Sequence, residues 1–139
     1  MNTPIKELIS DFELLDDWED RYRHLIELGR ALPAMDDALK TATTKVNGCA
    51  SQVWIYTSLV ENNLERKLSL QGDSDALIVK GLIAIVFMLF GTMTLQEIVA
   101  SDAPAVFARL GLKDHLTPQR SNGLASMVAR IKADAAAQL

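Results

Sequence analysis

The pattern of hydrophobic and polar residues changes period twice along this chain of 139 residues. In residues 5–29 the apolar side chains recur every three or four positions, which predicts helices. In residues 52–59 and 64–71 they alternate with polar side chains, and residues 61–63 between these runs are typical of a turn. The alternation predicts a β-hairpin near residues 52–71, preceded by a short strand around 44–46.

Helical signals return after the hairpin. Residues 72–75 are expected to form a turn that ends in a capping residue, Asp75, before an apolar helix over residues 76–90. Further helix starts and ends are marked by a capping box, by prolines and by a glycine: Thr94 with Glu97, Pro104, Gly111, and Thr117 with Pro118. Because the hairpin lies between groups of helices, residues 1–139 are predicted to form a single α+β domain with a small antiparallel sheet.

Composition excludes two classes of partner. The chain has 14 Lys and Arg against 18 Asp and Glu, a net charge of −4, and no basic tail, so we expect no nucleic-acid partner. The most apolar stretch, residues 76–90, contains Lys80 and is shorter than the roughly 20 residues of a membrane-spanning helix. The N-terminus shows no secretory signal. We therefore expect a cytoplasmic protein with no membrane partner.

The chemistry of the chain is bounded by one cysteine, Cys49, and two histidines far apart in sequence, His24 and His115. A lone thiol forms no internal disulfide. Protein zinc and iron–sulfur sites need several sulfur or imidazole ligands, so we expect no metal and no cofactor bound by this chain. The sequence contains no Gly-rich phosphate loop, serine-nucleophile motif or zinc-protease motif.

Cys49 follows two residues that tolerate a positive φ, Asn47 and Gly48, and precedes the first predicted strand. A thiol at the tip of such a loop is within reach of another macromolecule. Lys45 would favour the thiolate form if the loop brought it near. The alternative is that Cys49 packs as a small hydrophobic residue, as most free cysteines do. The residues alone leave both interpretations open.

Residues 48–54, Gly-Cys-Ala-Ser-Gln-Val-Trp, resemble the cysteine-loop motif of the SufE family of sulfur acceptors. Residues 18–33, 70–82 and 116–124 also resemble SufE segments, in the same order and at similar spacing. The resemblance covers nearly the whole chain. It implies the SufE/IscU-like fold, in which several helices pack against a small antiparallel sheet.

In this family the loop cysteine takes a sulfane sulfur from a cysteine desulfurase that contains pyridoxal phosphate. It then passes the sulfur to the SufBCD scaffold for iron–sulfur cluster assembly. The resemblance implies that Cys49 is the acceptor, that the partner is SufS-like, and that the chain stimulates this partner. The related Csd system uses similar acceptors, and residues 71–75 with 115–118 look closer to the Suf type. We expect a monomer.

The resemblance also suggests partner-binding or loop-supporting residues: Gly48, Ser51, Gln52, Trp54, Asp75 and Arg120. Three of them have an ordinary alternative role. Trp54 fits a sheet residue packed under a helix, and Asp75 fits a turn or cap residue. Arg120 stands in the first turn of the last helix, where a cation opposes the helix dipole. Its alternative role is a surface arginine paired with a carboxylate.

Sulfur transfer of this kind is thiolate attack on a sulfur–sulfur bond, which needs one nucleophilic sulfur and no second cysteine. We expect a hinge in the loop to swing Cys49 between a sheltered apolar position and the active site of the partner. Two other functions stay open. One is an adaptor that activates a desulfurase without carrying sulfur, and the other is a one-cysteine thiol peroxidase, for which the sequence shows no motif.

Overall fold

The computed structural model describes residues 3–139, which form an α+β fold. Its elements are α1 (Thr3–Glu13), α2 (Trp18–Ala31), a 3-10 turn (Asp37–Leu39), β1 (Val53–Asn62), β2 (Glu65–Ser74), α3 (Leu77–Phe90), α4 (Leu95–Ala100), α5 (Ala103–Arg109), α6 (Leu112–His115) and α7 (Pro118–Ala137). The predicted fold class, helices against a small antiparallel sheet, is confirmed.

Among the helices of residues 3–139, none combines the length and the apolar character that crossing a membrane requires.

The hairpin is longer than its sequence pattern indicates. β1 and β2 pair along their whole length, beginning with Val53 opposite Ser74. The turn consists of Asn63 and Leu64, which have positive φ values of 48° and 71°. Two-residue hairpin turns of the I′ type need this left-handed backbone. The predicted turn at residues 61–63 is therefore displaced toward the C-terminus.

The expected turn at residues 72–75 is wrong, because the first three of these residues continue β2. Gly72 in this strand is buried against α3. A Cβ atom there would lie 2.9 Å from the Phe87 ring and 3.0 Å from the Ile83 side chain. This glycine, which in sequence resembles a turn residue, therefore allows the helix to pack closely on the sheet.

The role expected for Asp75 as a helix cap is also wrong. α3 begins one residue later than expected, with Ala76 at its N-cap position and no side-chain cap. The Ala76 N–H donates instead to the Ser74 hydroxyl, at 3.2 Å. The capping box of Thr94 and Glu97 is confirmed, since each side chain accepts from the backbone N–H of the other.

α3 lies at the centre of the molecule and contacts α1, α2, α7 and β2. The apolar stretch of the sequence thus forms a helix in the middle of the core. Gly29 and Gly81 let α2 approach α3 closely: a Cβ on Gly81 would collide with the Leu25 carbonyl. Residues 44–46, expected as a strand, form only a single bridge between Lys45 and Trp54 beside β1.

Candidate functional site around Cys49

Two backbone hydrogen bonds close the neck of the loop that carries Cys49. The Val46 N–H donates to the Val53 carbonyl at 2.8 Å, and the Ile55 N–H donates to the Thr44 carbonyl at 2.9 Å. Residues 47–52 leave and return at this neck and form the cysteine loop. Because the neck is paired with β1, the loop is fixed to the base of the hairpin while its own residues stay outside the sheet.

A second contact fixes the C-terminal end of the cysteine loop. The Gln52 N–H donates to Asp75 Oδ1 at 3.0 Å, and the Asp75 N–H donates back to the Gln52 carbonyl at 3.4 Å. Asp75 therefore supports the loop in this structure. Both residues are exposed.

The Cys49 side chain turns inward and is half-buried against the core. Its Sγ donates to the Gly123 carbonyl of α7 at 3.7 Å. A Cβ on Gly123 would lie 3.4 Å from that sulfur, so the bare backbone lets the helix approach the thiol. Gly48 has a φ of +88°, and a Cβ there would lie 2.6 Å from Ser126 Oγ. Gly48 thus supplies the left-handed backbone and the space that the seat of the thiol requires, while Gly123 leaves room beside the sulfur.

A small cavity of about 20 Å³ adjoins the thiol. Its walls come from the cysteine loop, α3 and α7: Cys49, Ala50, Ser51, Val79, Leu82, Gln119, Arg120, Gly123 and Met127. A cavity of this size holds about one water-sized atom. Gly48, Ser51 and Arg120 therefore surround or adjoin the thiol.

Burial raises the pKa of the Cys49 thiol above its ordinary value. The expectation that Lys45 would favour the thiolate is wrong, because burial alone shifts this pKa and the Lys45 side chain is exposed. Arg120 is the one charged residue among those that line the cavity. Because burial raises its pKa, Cys49 in the seated position is a protonated thiol at neutral pH.

Arg120 is held in place from another helix. Its Nη1 donates to the Tyr22 hydroxyl of α2 at 2.9 Å, and its backbone N–H donates to the Thr117 hydroxyl at 3.2 Å. Within residues 3–139 the guanidinium has a phenol as its partner and no carboxylate, so the ordinary alternative of a surface ion pair is not what the structure contains. The side chain remains part of the cavity wall.

Trp54 lies away from the thiol. It pairs with Asp73 across the hairpin, and the Lys40 ammonium lies 5.4 Å from the centre of its ring. Lys40 in turn forms an ion pair with Asp73, with Nζ and Oδ2 2.8 Å apart. Trp54 is not among the residues that line the Cys49 cavity. Its position matches that of a half-buried sheet residue.

Neither histidine belongs to the thiol site. His24 packs edge-on against Phe12, with ring centroids 5.5 Å apart, and His115 stacks on Trp18 at 4.0 Å. No group of three or more His, Cys, Asp or Glu side chains within residues 3–139 is arranged to hold a metal ion. The site thus offers one thiol, one guanidinium and an apolar cavity, which suits attack on a sulfur–sulfur bond.

Most residues around the thiol carry a weak signal, or none, that would reveal their role from the sequence alone. Gly123 carries the clearest one, because a glycine inside a helix often marks a close approach of another element. Ser126 and Tyr22 are ordinary helix residues in sequence. Only their contacts with Gly48 and Arg120 reveal a role in the site.

Comparisons with known proteins agree with this fold. The family model for SufE, described as an Fe-S metabolism associated domain, matches residues 6–135. The chain therefore belongs to the SufE family, and its domain is one associated with iron–sulfur metabolism.

An uncharacterized SufE-like protein of Rhizobium meliloti is 47% identical over 137 residues, which cover 99% of this chain and 98% of that relative. Another uncharacterized SufE-like protein, of Rhizobium etli, is 49% identical over 131 residues, 94% of this chain and 88% of the relative. The fold is also similar to the solution structure of a hypothetical protein from Thermus thermophilus. There the TM-score is 0.74 at 20% identity, over 95% of this chain and 93% of that one.

Proposed function

We propose that this chain is a persulfide carrier. Cys49 accepts a sulfane sulfur from a SufS-like cysteine desulfurase that contains pyridoxal phosphate. The chain stimulates that enzyme and delivers the sulfur to the SufBCD scaffold for iron–sulfur cluster assembly. The observation that carries the proposal is the seat of the thiol: in a SufE-family chain, the lone cysteine packs at a small apolar cavity, on a loop tied at its base.

The proposed step is a thiol exchange that balances without an oxidant. The Cys49 thiolate attacks the outer sulfur of the persulfide on the desulfurase. A new sulfur–sulfur bond forms on Cys49, the bond in the donor breaks, and the donor cysteine leaves as a thiolate. At delivery Cys49 is the donor in the same exchange: an acceptor thiolate attacks the outer sulfur on Cys49, and Cys49 leaves as a thiolate. Cys49 releases its proton to solvent when it leaves the cavity, the donor thiolate can take one up from solvent, and no metal is needed.

The composition of the chain supports storage of the sulfur between these steps. Cys49 is the only cysteine, so no neighbouring thiol of the same chain can discharge the persulfide as an internal disulfide. The cavity of about 20 Å³ beside Sγ has room for about one further atom. A sulfur placed there is shielded from water and from oxidants by Val79, Leu82 and Met127.

The raised pKa of Cys49 supports a loop that moves. While the thiol is seated, burial holds it in its protonated form, which is a poor nucleophile. Leaving the cavity restores contact with water and lowers the pKa toward its ordinary value. The reactive thiolate therefore forms mainly when the cysteine loop swings out toward a partner, and oxidative side reactions of the resting protein are suppressed.

Mass spectrometry of the intact protein after incubation with desulfurase and cysteine tests the proposal. We expect a gain of one sulfur atom, removed by a reductant, and no gain in Cys49→Ser. Faster desulfurase turnover without any gain would identify a non-carrying adaptor. Consumption of peroxide through a sulfenic acid would identify a thiol peroxidase. Either result overturns the carrier.

The choice of partner system is tested in the same assay. We propose the Suf system, with the chain acting as a monomer in the cytoplasm. Equal amounts of a SufS-type and a Csd-type desulfurase are compared, and initial rates of sulfur uptake are measured. A higher rate with the Csd-type enzyme would reassign the chain to the Csd system while leaving Cys49 as acceptor.

A further inference from the structure

Arg130 of α7 reaches back to the segment that leads into the cysteine loop. Its Nη2 donates to the Thr43 carbonyl at 2.6 Å and its Nη1 donates to the Lys45 carbonyl at 3.4 Å. Both acceptors belong to residues 41–46, which we name the stem of the cysteine loop. One planar guanidinium thus binds two backbone oxygens of the stem, an arrangement that suits the rigid fork of donors in arginine.

The same guanidinium is oriented by a carboxylate on its own helix. Arg130 Nε lies 3.3 Å from Asp134 Oδ2, and that oxygen also accepts from the Thr57 hydroxyl of β1 at 2.8 Å. The side chains of Arg130 and Asp134 are only 25% and 26% exposed. Charge-assisted hydrogen bonds at the burial of the Arg130–Asp134 pair are stronger than those of exposed ion pairs, whereas the two bonds from Arg130 to the stem are exposed. The network therefore joins α7, β1 and the stem.

We propose that Arg130 is a positioning residue for Cys49. The Arg130 guanidinium clamps the stem onto α7 and confines the hinge of the cysteine loop to residues 47–52. The seat of the thiol and the clamp lie on one helix. Gly123 and Arg130 are seven residues apart, or about 10 Å along its axis. The start of the cysteine loop and the seat to which it returns are therefore held at a fixed distance.

Loss of the clamp leaves the fold in place. The stem keeps its backbone bonds to β1 through Val46 and Thr44. The thiol, however, returns less often to Gly123, because the segment before it has a wider range of positions. For sulfur transfer this inference rests on the proposed function, but the clamp itself is measurable without any partner.

The test is the rate at which iodoacetamide alkylates Cys49 in the folded protein without denaturant. We expect Arg130→Ala to react about 3- to 10-fold faster than the natural chain, as expected for loss of charge-assisted hydrogen bonds. Arg130→Lys should lie between the two, since an ammonium is a single point charge that cannot span both carbonyls. Arg30→Ala is the matched control, because Arg30 forms an exposed pair with Glu27 on α2. We expect its rate to be unchanged.

The pH profile of alkylation separates positioning from general loss of stability. The natural thiol has a pKa raised by burial, and Arg120 is the charged group that lines its cavity. Arg130→Ala leaves Arg120 in place. If its thiol spends more time in water, the midpoint of its profile shifts to lower pH while the melting temperature stays above the assay temperature. Asp134→Asn, which keeps the side-chain volume, is measured in parallel in case Arg130→Ala does not fold.

An unchanged rate and midpoint in folded Arg130→Ala and Asp134→Asn would overturn the clamp, as would equal acceleration by Arg30→Ala. These results are independent of the proposed function. If the clamp variants react faster but the natural Cys49 never gains sulfur from a desulfurase, the clamp stands and the carrier proposal fails. If Cys49 gains sulfur but the clamp variants behave normally, the reverse holds.

Discussion

Two of the hollows along α7 differ greatly in size, and the smaller one adjoins the Cys49 thiol. The cavity beside Cys49 measures about 20 Å³. A far larger apolar groove of about 400 Å³ lies between α7 and the segment of α5 and α6, lined by residues such as Phe107, Leu116 and Val128. A rule that takes a large apolar pocket as the binding site would select the groove. For the proposed cargo, a single sulfur atom, the position of the thiol is a better guide to the site than the volume of a pocket.

The two hollows also differ in what their polar groups do. In the groove, the Lys132 ammonium donates to the Ser101 carbonyl at the end of α4, which makes it a support for the fold. In the small cavity, Arg120 is held by Tyr22 so that its guanidinium forms part of the wall. We therefore expect substitutions of similar size on the two sides of α7 to have unequal effects on the protection of Cys49.

The largest expected effect comes from Gly48→Ala. A φ of +88° is strained for any residue with a Cβ, and that Cβ would lie 2.6 Å from Ser126 Oγ. We expect a loss of about 2 kcal/mol in the free energy of unfolding, measured by urea denaturation. Alkylation of Cys49 should be faster, because the thiol is displaced from Gly123.

A double variant divides this loss into its two causes. Ser126→Ala removes the hydroxyl that collides, so the combination with Gly48→Ala should recover the steric part and leave the backbone strain. With Ser126→Ala in place, Gly48→Asn should cost less backbone strain than Gly48→Ala, since asparagine tolerates a positive φ. A Gly48→Ala chain as stable as the natural one would mean that the cysteine loop is not fixed as described.

The next largest effect is expected from Gly123→Ala, which should raise the stability of the fold but shorten the lifetime of a persulfide. Gly123→Ala places a methyl group in the small cavity, 3.4 Å from Sγ, which an unmodified thiol tolerates. We expect the helix to gain up to about 1 kcal/mol from the higher propensity of alanine. A persulfide, however, loses its shelter, and we expect its lifetime in air to fall severalfold by mass spectrometry.

The matched change on the other side of α7 is Ala129→Leu, which adds apolar volume to the groove. We expect the persulfide lifetime of this variant to equal that of the natural chain. If Ala129→Leu shortened the lifetime as much as Gly123→Ala, the small cavity would have no special role in protecting the persulfide.

The general fold could be predicted from local patterns. The wrong predictions arise where tertiary contacts override those patterns. Helical spacing, the alternation in residues 52–71 and the capping box of Thr94 and Glu97 are local signals, and each corresponds to an element. Residues 72–75 contain glycine and aspartates typical of a turn. Pairing with β1 and packing against α3 keep the first three of them in the strand.

The family resemblance predicts more of the site than the motif alone, because it also names Asp75 and Arg120, which contact the cysteine loop or line the cavity. Residues 48–54 contain the thiol and its loop, but the wall against which the thiol packs comes from distant parts of the chain. Gly123 is 74 residues from Cys49, and Tyr22 is 98 residues from Arg120. One sequence contains no information about such pairs. Lys45 illustrates the opposite error, since a residue close in sequence points its side chain into solvent.

Burial of the Cys49 thiol also makes stability depend on pH, with a smaller expected effect. Below its ordinary pKa the Cys49 thiol is protonated in both the folded and the unfolded chain, and its burial then favours the folded state fully. Because burial raises the folded pKa, the unfolded chain loses its proton first as pH rises. Stability therefore falls with pH between the ordinary and the raised pKa.

Urea denaturation of the natural chain and of Cys49→Ala across this range isolates the effect, because all other titrating groups are shared. We expect the natural chain to lose more stability with rising pH. Alkylation should also have its midpoint at higher pH in the folded protein than in urea. Coincident midpoints would show that the small cavity does not exclude water from the thiol.

The smallest expected effect is that of Tyr22→Phe, which removes the acceptor of the Arg120 guanidinium at 2.9 Å but keeps the ring. We expect a loss of at most about 1 kcal/mol in the free energy of unfolding, as for one hydrogen bond near the surface. Alkylation of Cys49 should change by less than about twofold, which corresponds to a few tenths of a kcal/mol. The control is Tyr56→Phe, since Tyr56 lies on β1 beside a different hollow, away from Arg120. A large gain in Cys49 reactivity with Tyr22→Phe alone would mean that the position of Arg120, rather than apolar packing, keeps the thiol in its seat.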